Sequence, residues 1–166
     1  MRIFLIADRF PPYDENRSAQ LAAEVVRGLQ QRGHTVQVLA GAPPRRSAQV
    51  MNKVHFALEP GVDKGSRWPV PAQFLFQRKR RSRRNLAYFQ QVLTDFKPDI
   101  ILLWNLGGNY RGLSGLAEQT PGTQAVYFAA DASPVQPDAY SAYWIAFRER
   151  REIAPLRKII SRVALR

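Results

Sequence analysis

The sequence predicts an α/β fold: a Rossmann-like open, mostly parallel sheet with helices on both faces. Short apolar runs of strand length occur at residues 2–7, 35–40 and 100–104, and segments with helical periodicity separate them. The first two runs and the helix between them occupy about 40 residues, enough for a βαβ unit with a right-handed crossover. This alternation indicates a single domain over residues 1–166.

The first βαβ unit begins with residues 2–7 (RIFLIA), an uninterrupted apolar run that is typical of a central strand buried on both faces. A helix is predicted over residues 18–32, because apolar residues recur at every fourth position from Leu21. Ser18 is the predicted N-cap of this helix, and Gly33 stands where a helix C-terminus is expected.

The rest of the chain continues the alternation of strands and helices. The patterns predict a strand at residues 54–58, a long helix at 72–96, a strand at 100–104, a helix at 113–119, a strand at 124–129 and a helical tail from 138. Residues 41–51 and 59–71 contain prolines and glycines, so loops are predicted there.

The composition limits the class of protein. A hydrophobic content of 45% fits a globular domain, and the longest apolar runs are too short to cross a bilayer. The apolar run at the N-terminus is interrupted by Asp8, so it is shorter than the apolar core of a signal peptide. The chain has no cysteine, which excludes disulfides and thiolate sites and favours a cytoplasmic location.

Positive charge is the unusual feature of the composition. Lysine and arginine number 25 against 13 acidic residues, and the net charge of +12 favours anionic partners. The run RKRRSRR concentrates this charge in Arg78, Lys79, Arg80, Arg81, Arg83 and Arg84. We interpret these cations as contacts to an anionic membrane surface. A second basic amphipathic segment is predicted near the C-terminus, with an apolar stripe at Leu156, Ile159, Ile160 and Val163.

A nucleic-acid-binding module is an alternative interpretation of the basic run. Aromatic residues flank it, and such side chains can stack on bases beside a basic groove. However, the chain contains no recognition-helix pattern and no RNA-binding signature. Nucleic acid is therefore not the expected partner.

Candidate ligand-binding residues follow three of the predicted strands. In an open parallel sheet, ligands bind beyond the carboxyl ends of the strands. The segments at these ends are rich in hydrogen-bonding groups suited to hydroxyl-rich or phosphorylated ligands. The contacts we select are Asp14, Arg17, Asn105, Gly107, Gly108 and Asp131. The alternative for each residue is a solvated turn or a helix cap.

Other kinds of site are disfavoured. His34 precedes the second strand and His55 lies within the third, so neither histidine can join the candidate site, and a catalytic triad or histidine metal site is not expected. The stretch GGNYRG lacks the dinucleotide fingerprint, and no Walker-type sequence occurs. The sequence therefore predicts no metal and no nicotinamide cofactor.

Three stretches carry a family resemblance: MRIFLIADRFPPYDENRSAQLAAEVVRGLQQRGHTVQVLAG at residues 1–41, FKPDIILLWNLGG at 96–108 and AVYFAADASPVQPDAYSAYW at 125–144. The first resembles the opening strand, turn, helix and second strand of retaining GT-B glycosyltransferases of family four (glycosyl transferases group 1). The second is similar to that family's strand containing a proline-aspartate pair, and the third to its strand, His-Asp turn and aromatic helix.

The resemblance implies one half of a two-domain enzyme. In such enzymes, the N-terminal Rossmann-like domain binds the acceptor and a C-terminal domain binds the nucleotide-sugar donor. The sugar is transferred with retention of configuration, usually without a metal. The resemblance therefore implies that the donor-binding domain is absent from this chain, and that this chain alone is inactive.

The resemblance also implies particular partners. The expected acceptor is a glycan or a lipid-linked molecule, and the expected co-substrate is a nucleotide sugar, with no separate cofactor. The expected location is the cytoplasm, peripheral on the inner face of the membrane. The catalytic residue, the donor sugar and the oligomeric state remain open.

Two positions depart from the family pattern. The family's Gly-Gly turn falls around Asp14 and Asn16, and the histidine of its His-Asp turn maps to Ala130, whereas the aspartate maps to Asp131. A carboxylate at residue 14 would repel a diphosphate unless Arg17 or a partner offsets it. These departures leave an atypical donor or acceptor open, and they also leave a non-catalytic scaffold as an alternative function.

Overall fold

The computed structural model describes residues 1–43, 48–62, 66–106, 111–129 and 139–149. Within these residues the strands are β1 (Arg2–Ala7), β2 (Thr35–Gly41), β3 (Gln49–Met51), β4 (Val54–Leu58), β5 (Ile100–Trp104) and β6 (Gln124–Phe128). The helices are α1 (Arg17–Gln31), α2 (Val70–Ala72), α3 (Arg78–Phe96), α4 (Arg111–Gln119) and α5 (Ala139–Glu149). A π-helical turn, Gln73–Gln77, joins α2 to α3.

The strands form one sheet in the order β3-β4-β2-β1-β5-β6. The pairs are parallel except β3 with β4, so the predicted open, mostly parallel sheet is confirmed. Within β1, Ile6 lies opposite Leu39 of β2 and Leu103 of β5. The chain first extends the sheet from β1 through β2 to β4 and then crosses to the other side of β1, which creates a topological switch point between β1 and β5.

The core lies on both faces of the sheet. On one face Phe4 and Ile6 are fully buried under α3 and α4, and the ring of Phe89 stacks on Phe4 with centroids 5.7 Å apart. On the other face Leu5 packs beneath α1, whose Val26 belongs to the same cluster. Successive β1 side chains point to opposite faces, and both sets are buried, which explains why the strand has no polar alternation.

Helix α1 begins one residue before the predicted start. Asn16, rather than Ser18, caps it: the backbone at Asn16 is extended, and its side-chain oxygen accepts a hydrogen bond of 2.8 Å from the amide of Ala19. The two polar residues lie two positions apart, and either could serve as a cap. Gly33 follows the helix with a φ of 81°, the left-handed conformation that the prediction required.

Strand β3 lies within the segment predicted as a loop. It pairs antiparallel with β4 through a turn at Asn52 and Lys53, which have φ values of 47° and 67°. This is a two-residue hairpin without the glycine that usually marks such turns, and its first strand has only three residues. The sequence therefore contains neither the glycine that would predict this turn nor a run long enough to predict this strand.

In the long helix, the side chains that face the core differ from those that the sequence pattern predicts. Leu75, an apolar residue within the helix predicted at 72–96, is exposed. Phe74 is buried instead, with its ring 5.2 Å from that of Tyr140 and 5.5 Å from that of Tyr143 in α5. The part of the predicted helical tail that the structure describes forms α5 (Ala139–Glu149). The predicted apolar stripe at Leu156, Ile159, Ile160 and Val163 lies outside the described residues, and in the described part of the chain no helix is long and apolar enough to cross a membrane.

Gly41 marks a close approach at the end of β2. A Cβ atom added there would lie 2.3 Å from the backbone oxygen of Asp8, whereas one added at Gly28 in α1 would meet nothing within 4 Å. We expect Gly41→Ala to lower the free energy of unfolding by about 1–3 kcal/mol, because backbone must move. The matched change Gly28→Ala should raise it by about 0.5–1 kcal/mol. Urea unfolding of both variants is the measurement, and equal stability of the two would contradict the close contact.

Candidate functional site

Parallel strands end together, so polar groups that follow them meet at one edge of the sheet, here called the carboxyl edge. Ala7 of β1 lies opposite Trp104 of β5, and the residues that follow these two are Asp8 and Asn105. Because the switch point lies between the same two strands, this is the place where an open α/β sheet forms its crevice.

The turn between β1 and α1 is held by an aromatic side chain. The ring of Tyr13 meets Phe56 edge-on, with centroids 4.9 Å apart. Its hydroxyl donates a hydrogen bond of 2.7 Å to the side chain of Gln49 in β3. Packing and a hydrogen bond therefore hold this turn against β4 and β3. The family's glycine pair at this turn would serve a different purpose, because glycine lets the backbone approach a ligand closely.

Three of the charged side chains in this turn, those of Asp8, Arg9 and Asp14, lie close together. The Arg9 guanidinium donates to the Asp14 carboxylate at 3.2 Å and lies 3.7 Å from that of Asp8. Asp14 also accepts a hydrogen bond of 3.0 Å from the amide of Asn16. Asp14, which was selected as a ligand contact, thus also acts as a structural acceptor within the turn. Arg17 is exposed at the first position of α1.

Trp104 ties the two sides of the crevice together, a role that was not predicted. It is buried at the end of β5, stacks on Phe128 of β6 at 3.9 Å with planes 12° apart, and donates from its indole nitrogen to the Ser18 carbonyl at 3.2 Å. The only sequence signal was a tryptophan at the last position of an apolar strand, next to a polar residue. Burial of an indole usually requires such a hydrogen-bond partner.

Asn105 has an unusual backbone conformation. Its φ is 44°, and its amide donates a hydrogen bond of 2.7 Å to the carbonyl of Phe128. Asparagine tolerates this left-handed region better than most residues, which gives Asn105 a backbone role beside any side-chain role. The other predicted contacts, Gly107, Gly108 and Asp131, lie outside the described residues.

The histidines lie away from the carboxyl edge, as predicted. His34 precedes β2, and His55 is the second residue of β4. Partial burial lowers the pKa of His55, and the nearby Asp95 carboxylate only partly opposes this effect. Among the residues that the structure describes, no group of three or more histidine, aspartate or glutamate side chains could hold a metal ion.

Arg81 departs from the interpretation of the basic run as a uniform charged surface. It is buried, and its guanidinium donates to the side chains of Gln73 and Gln77 and to the carbonyls of Pro60 and Gly61. Arg81 therefore fastens the loop after β4 to the long helix and is not available to an outside anion in this conformation.

The other five cations of the run remain outside. Arg84 is half exposed and forms a 2.7 Å ion pair with Glu59, which raises the pKa of Arg84. The guanidinium of Arg78 lies 4.0 Å from the centre of the Tyr140 ring. The remaining three cations, Lys79, Arg80 and Arg83, are exposed.

The different surroundings of Arg81 and Arg83 predict different effects on stability. Arg81→Met should lower the free energy of unfolding by about 2–4 kcal/mol, because it leaves buried oxygens such as that of Gln73 without a donor. Arg83→Met should change it by less than about 0.5 kcal/mol, as surface changes do. Chemical unfolding of both variants is the test. A loss at Arg83 as large as that at Arg81 would show that burial does not distinguish them.

Comparison with known families agrees with this geometry. A model of Glycosyltransferase Family 4 matches residues 18–164, most of the chain. The match begins at Ser18, so β1 and the turn fastened by Tyr13 precede it. A search of the curated proteins finds no match. The α/β sheet is the fold that the resemblance implied, and the match spans well over half of the sequence, so the chain belongs to glycosyltransferase family 4.

Proposed function

We propose that this chain is the acceptor-binding half of a retaining GT-B enzyme that transfers a sugar from a nucleotide-sugar donor to a glycan or lipid-linked acceptor. The observation that carries the proposal is the family match over residues 18–164, which makes the chain a glycosyltransferase-family domain. The switch point between β1 and β5 supports it, because Asp8 and Asn105 follow these two strands at the edge where such sheets bind ligands.

In this proposal the carboxyl edge binds the acceptor. Arg17 and Asn105 would contact its hydroxyl or phosphate groups, together with Asp14, Gly107, Gly108 and Asp131. The pairing of Asp14 with Arg9 supports this assignment, since a compensated carboxylate repels an anionic acceptor less than an isolated one. We assign no residue as the catalytic base. The reaction needs no metal and no cofactor other than the nucleotide sugar.

Donor binding is assigned mainly to a second domain outside this chain. The turn at residues 8–16 has no glycine pair, and its centre carries the carboxylate of Asp14. Such a turn offers a diphosphate fewer accessible backbone N–H groups than a glycine-rich turn would. The proposed location is the cytoplasm, on the inner face of the membrane, which fits the lack of cysteine and the strongly basic composition.

The first test concerns the chain by itself. Titrated by calorimetry with common nucleotide sugars, it should bind each with a dissociation constant weaker than ~10 μM, about −7 kcal/mol, because one wall of a cleft supplies only part of the contacts. It should also form no glycosylated product. A tighter constant would contradict the assignment of donor binding to a second domain. Product formed by the chain alone would contradict the need for that domain.

The second test concerns Asn105 in the complete two-domain enzyme. Asn105→Gly keeps the positive φ but removes the side chain, whereas Asn105→Ala removes the side chain and also strains the backbone by about 1 kcal/mol. Both should lower turnover at least about tenfold, roughly 1.4 kcal/mol, and only the alanine variant should lower the melting temperature. Asp131→Ala should lower turnover by a similar factor without a loss of stability.

These variants also distinguish the alternative functions. If Asn105→Gly has full turnover, Asn105 serves the fold through its backbone alone. If the complete unmodified protein yields no glycosylated product with any nucleotide sugar, the proposed function is wrong. The non-catalytic scaffold would then be the better description.

A further inference from the structure

One face of the long helix exposes both large apolar side chains and cations. Leu75 is 59% exposed, Phe76 is 70% exposed and Trp68, whose ring lies 6.2 Å from that of Phe76, is 52% exposed. The exposed cations on this face that have neither the ion pair of Arg84 nor the ring contact of Arg78 are Lys79, Arg80 and Arg83. We call these six residues the docking face: Trp68, Leu75, Phe76, Lys79, Arg80 and Arg83.

The spacing explains why these side chains share a face. Leu75 and Phe76 lie in the π-helical turn, and Lys79, Arg80 and Arg83 follow in α3. At 3.6 residues per turn their positions, i, i+1, i+4, i+5 and i+8, fall within less than half of the helix circumference, and all five side chains are exposed. The opposite side is fixed to the domain, because Phe74, Arg81 and Phe89 are buried. The helix therefore cannot rotate to cover Leu75 and Phe76 without exposing these three.

Trp68 belongs to the same ordered unit. Its backbone carbonyl accepts a hydrogen bond of 2.8 Å from the side chain of Gln73, and Gln73 in turn accepts one from Arg81. The buried Arg81 network thus holds the tryptophan beside the start of the helix. Exposed apolar side chains gathered in this way indicate an interaction surface rather than scattered surface residues.

The charge around this face is of one sign. The sequence has no acidic residue between Asp63 and Asp95. The nearest described acid in the preceding loop, Glu59, is engaged by Arg84 at 2.7 Å and by Arg81 at 3.8 Å. Lys79, Arg80 and Arg83 are exposed, and among the residues that the structure describes no carboxylate forms an ion pair with them.

We propose that the docking face binds the surface of an anionic lipid bilayer. The side chains of Trp68, Leu75 and Phe76 would enter the interface, where aromatic and aliphatic groups are stabilised, and the three exposed cations would contact lipid phosphates. A nucleic acid would satisfy the cations and could stack on the rings, but it offers no apolar phase for Leu75. The combination favours a bilayer over a polyanion in solution.

The position of this face gives the proposal a consequence for the acceptor. Glu59 directly follows β4 and contacts Arg84, so the first turns of α3 lie beside the carboxyl edge of the sheet. A bilayer bound there would lie on the same side of the domain as the crevice between β1 and β5. This step rests on the proposed function: it favours a lipid-linked acceptor over a soluble glycan.

The experiment uses the 166-residue chain and vesicles, with no sugar present. Vesicles of phosphatidylcholine with about 30% phosphatidylglycerol should sediment the protein, and vesicles of phosphatidylcholine alone should not. Trp104 and Trp144 are buried, so the fluorescence that responds to the bilayer belongs to Trp68. We expect its emission to shift to the blue, bromine-labelled lipid to quench it, and Trp68→Phe to remove both effects.

Matched variants separate the face from the general charge of the protein. The triple change Lys79→Gln, Arg80→Gln and Arg83→Gln should weaken partitioning into anionic vesicles at least about tenfold, since each cation near such a surface contributes about 1 kcal/mol. The pair Leu75→Ser and Phe76→Ser should do the same. The control changes, which remove exposed cations and apolar groups elsewhere, are Arg27→Gln, Arg32→Gln and Lys97→Gln for charge and Leu21→Ser and Val50→Ser for apolar area.

Several outcomes would overturn the proposal. If the docking-face variants and the control variants lose vesicle binding equally, the binding reflects only the general attraction of anionic lipid to a basic protein. Binding to RNA with no binding to vesicles would assign the face to nucleic acid. Concentration-dependent dimers that Leu75→Ser and Phe76→Ser abolish, again without vesicle binding, would assign it to a second copy of this chain. Normal turnover of the complete enzyme on a soluble acceptor, with no vesicle binding, would reject the docking face and leave the proposed function standing.

Discussion

The structure depends on the burial of β1 on both of its faces and along both of its edges. Phe4, Leu5, Ile6 and Ala7 have no exposed surface, and the strand pairs in parallel with β2 and β5. A strand in this position has no solvent-facing side, so a shift of its register by one residue would misplace the side chains on both faces. The register fixes where β1, β2 and β5 end, and these ends build the crevice.

The burial of parallel strands such as β1 also explains which elements of the fold could be predicted from the sequence alone. Buried parallel strands are read from continuous apolar runs, and β1, β2, β4, β5 and β6 were all predicted close to their observed bounds. The elements that were missed depend on contacts between distant parts of the chain. Strand β3 has three residues and gains a partner in Tyr13. The choice of Asn16 over Ser18 as the cap depends on how the preceding turn enters the helix.

The place of the candidate site follows from the topology of the sheet, whereas the contacts of its residues do not follow from the sequence pattern. That polar residues gather beyond β1 and β5 follows from topology, and the structure places Asp8 and Asn105 there. That Asp14 would be engaged by Arg9, or that Arg81 would be buried among glutamine side chains and carbonyls, does not follow from the sequence pattern. The sequence pattern predicts that every cation of the run is exposed. Contact with the loop after β4 determines which one is buried.

The contacts of Trp104 have a mechanical consequence. One side chain joins the last residue of β6 by stacking and the beginning of α1 by a hydrogen bond, so it bridges elements on either side of the crevice. A displacement at the amino-terminal end of α1 would pull on the indole and, through it, on Phe128 and the Asn105 amide that is bonded to it. One buried side chain therefore sets the relative positions of the start of α1 and the ends of β5 and β6, three elements that border the crevice.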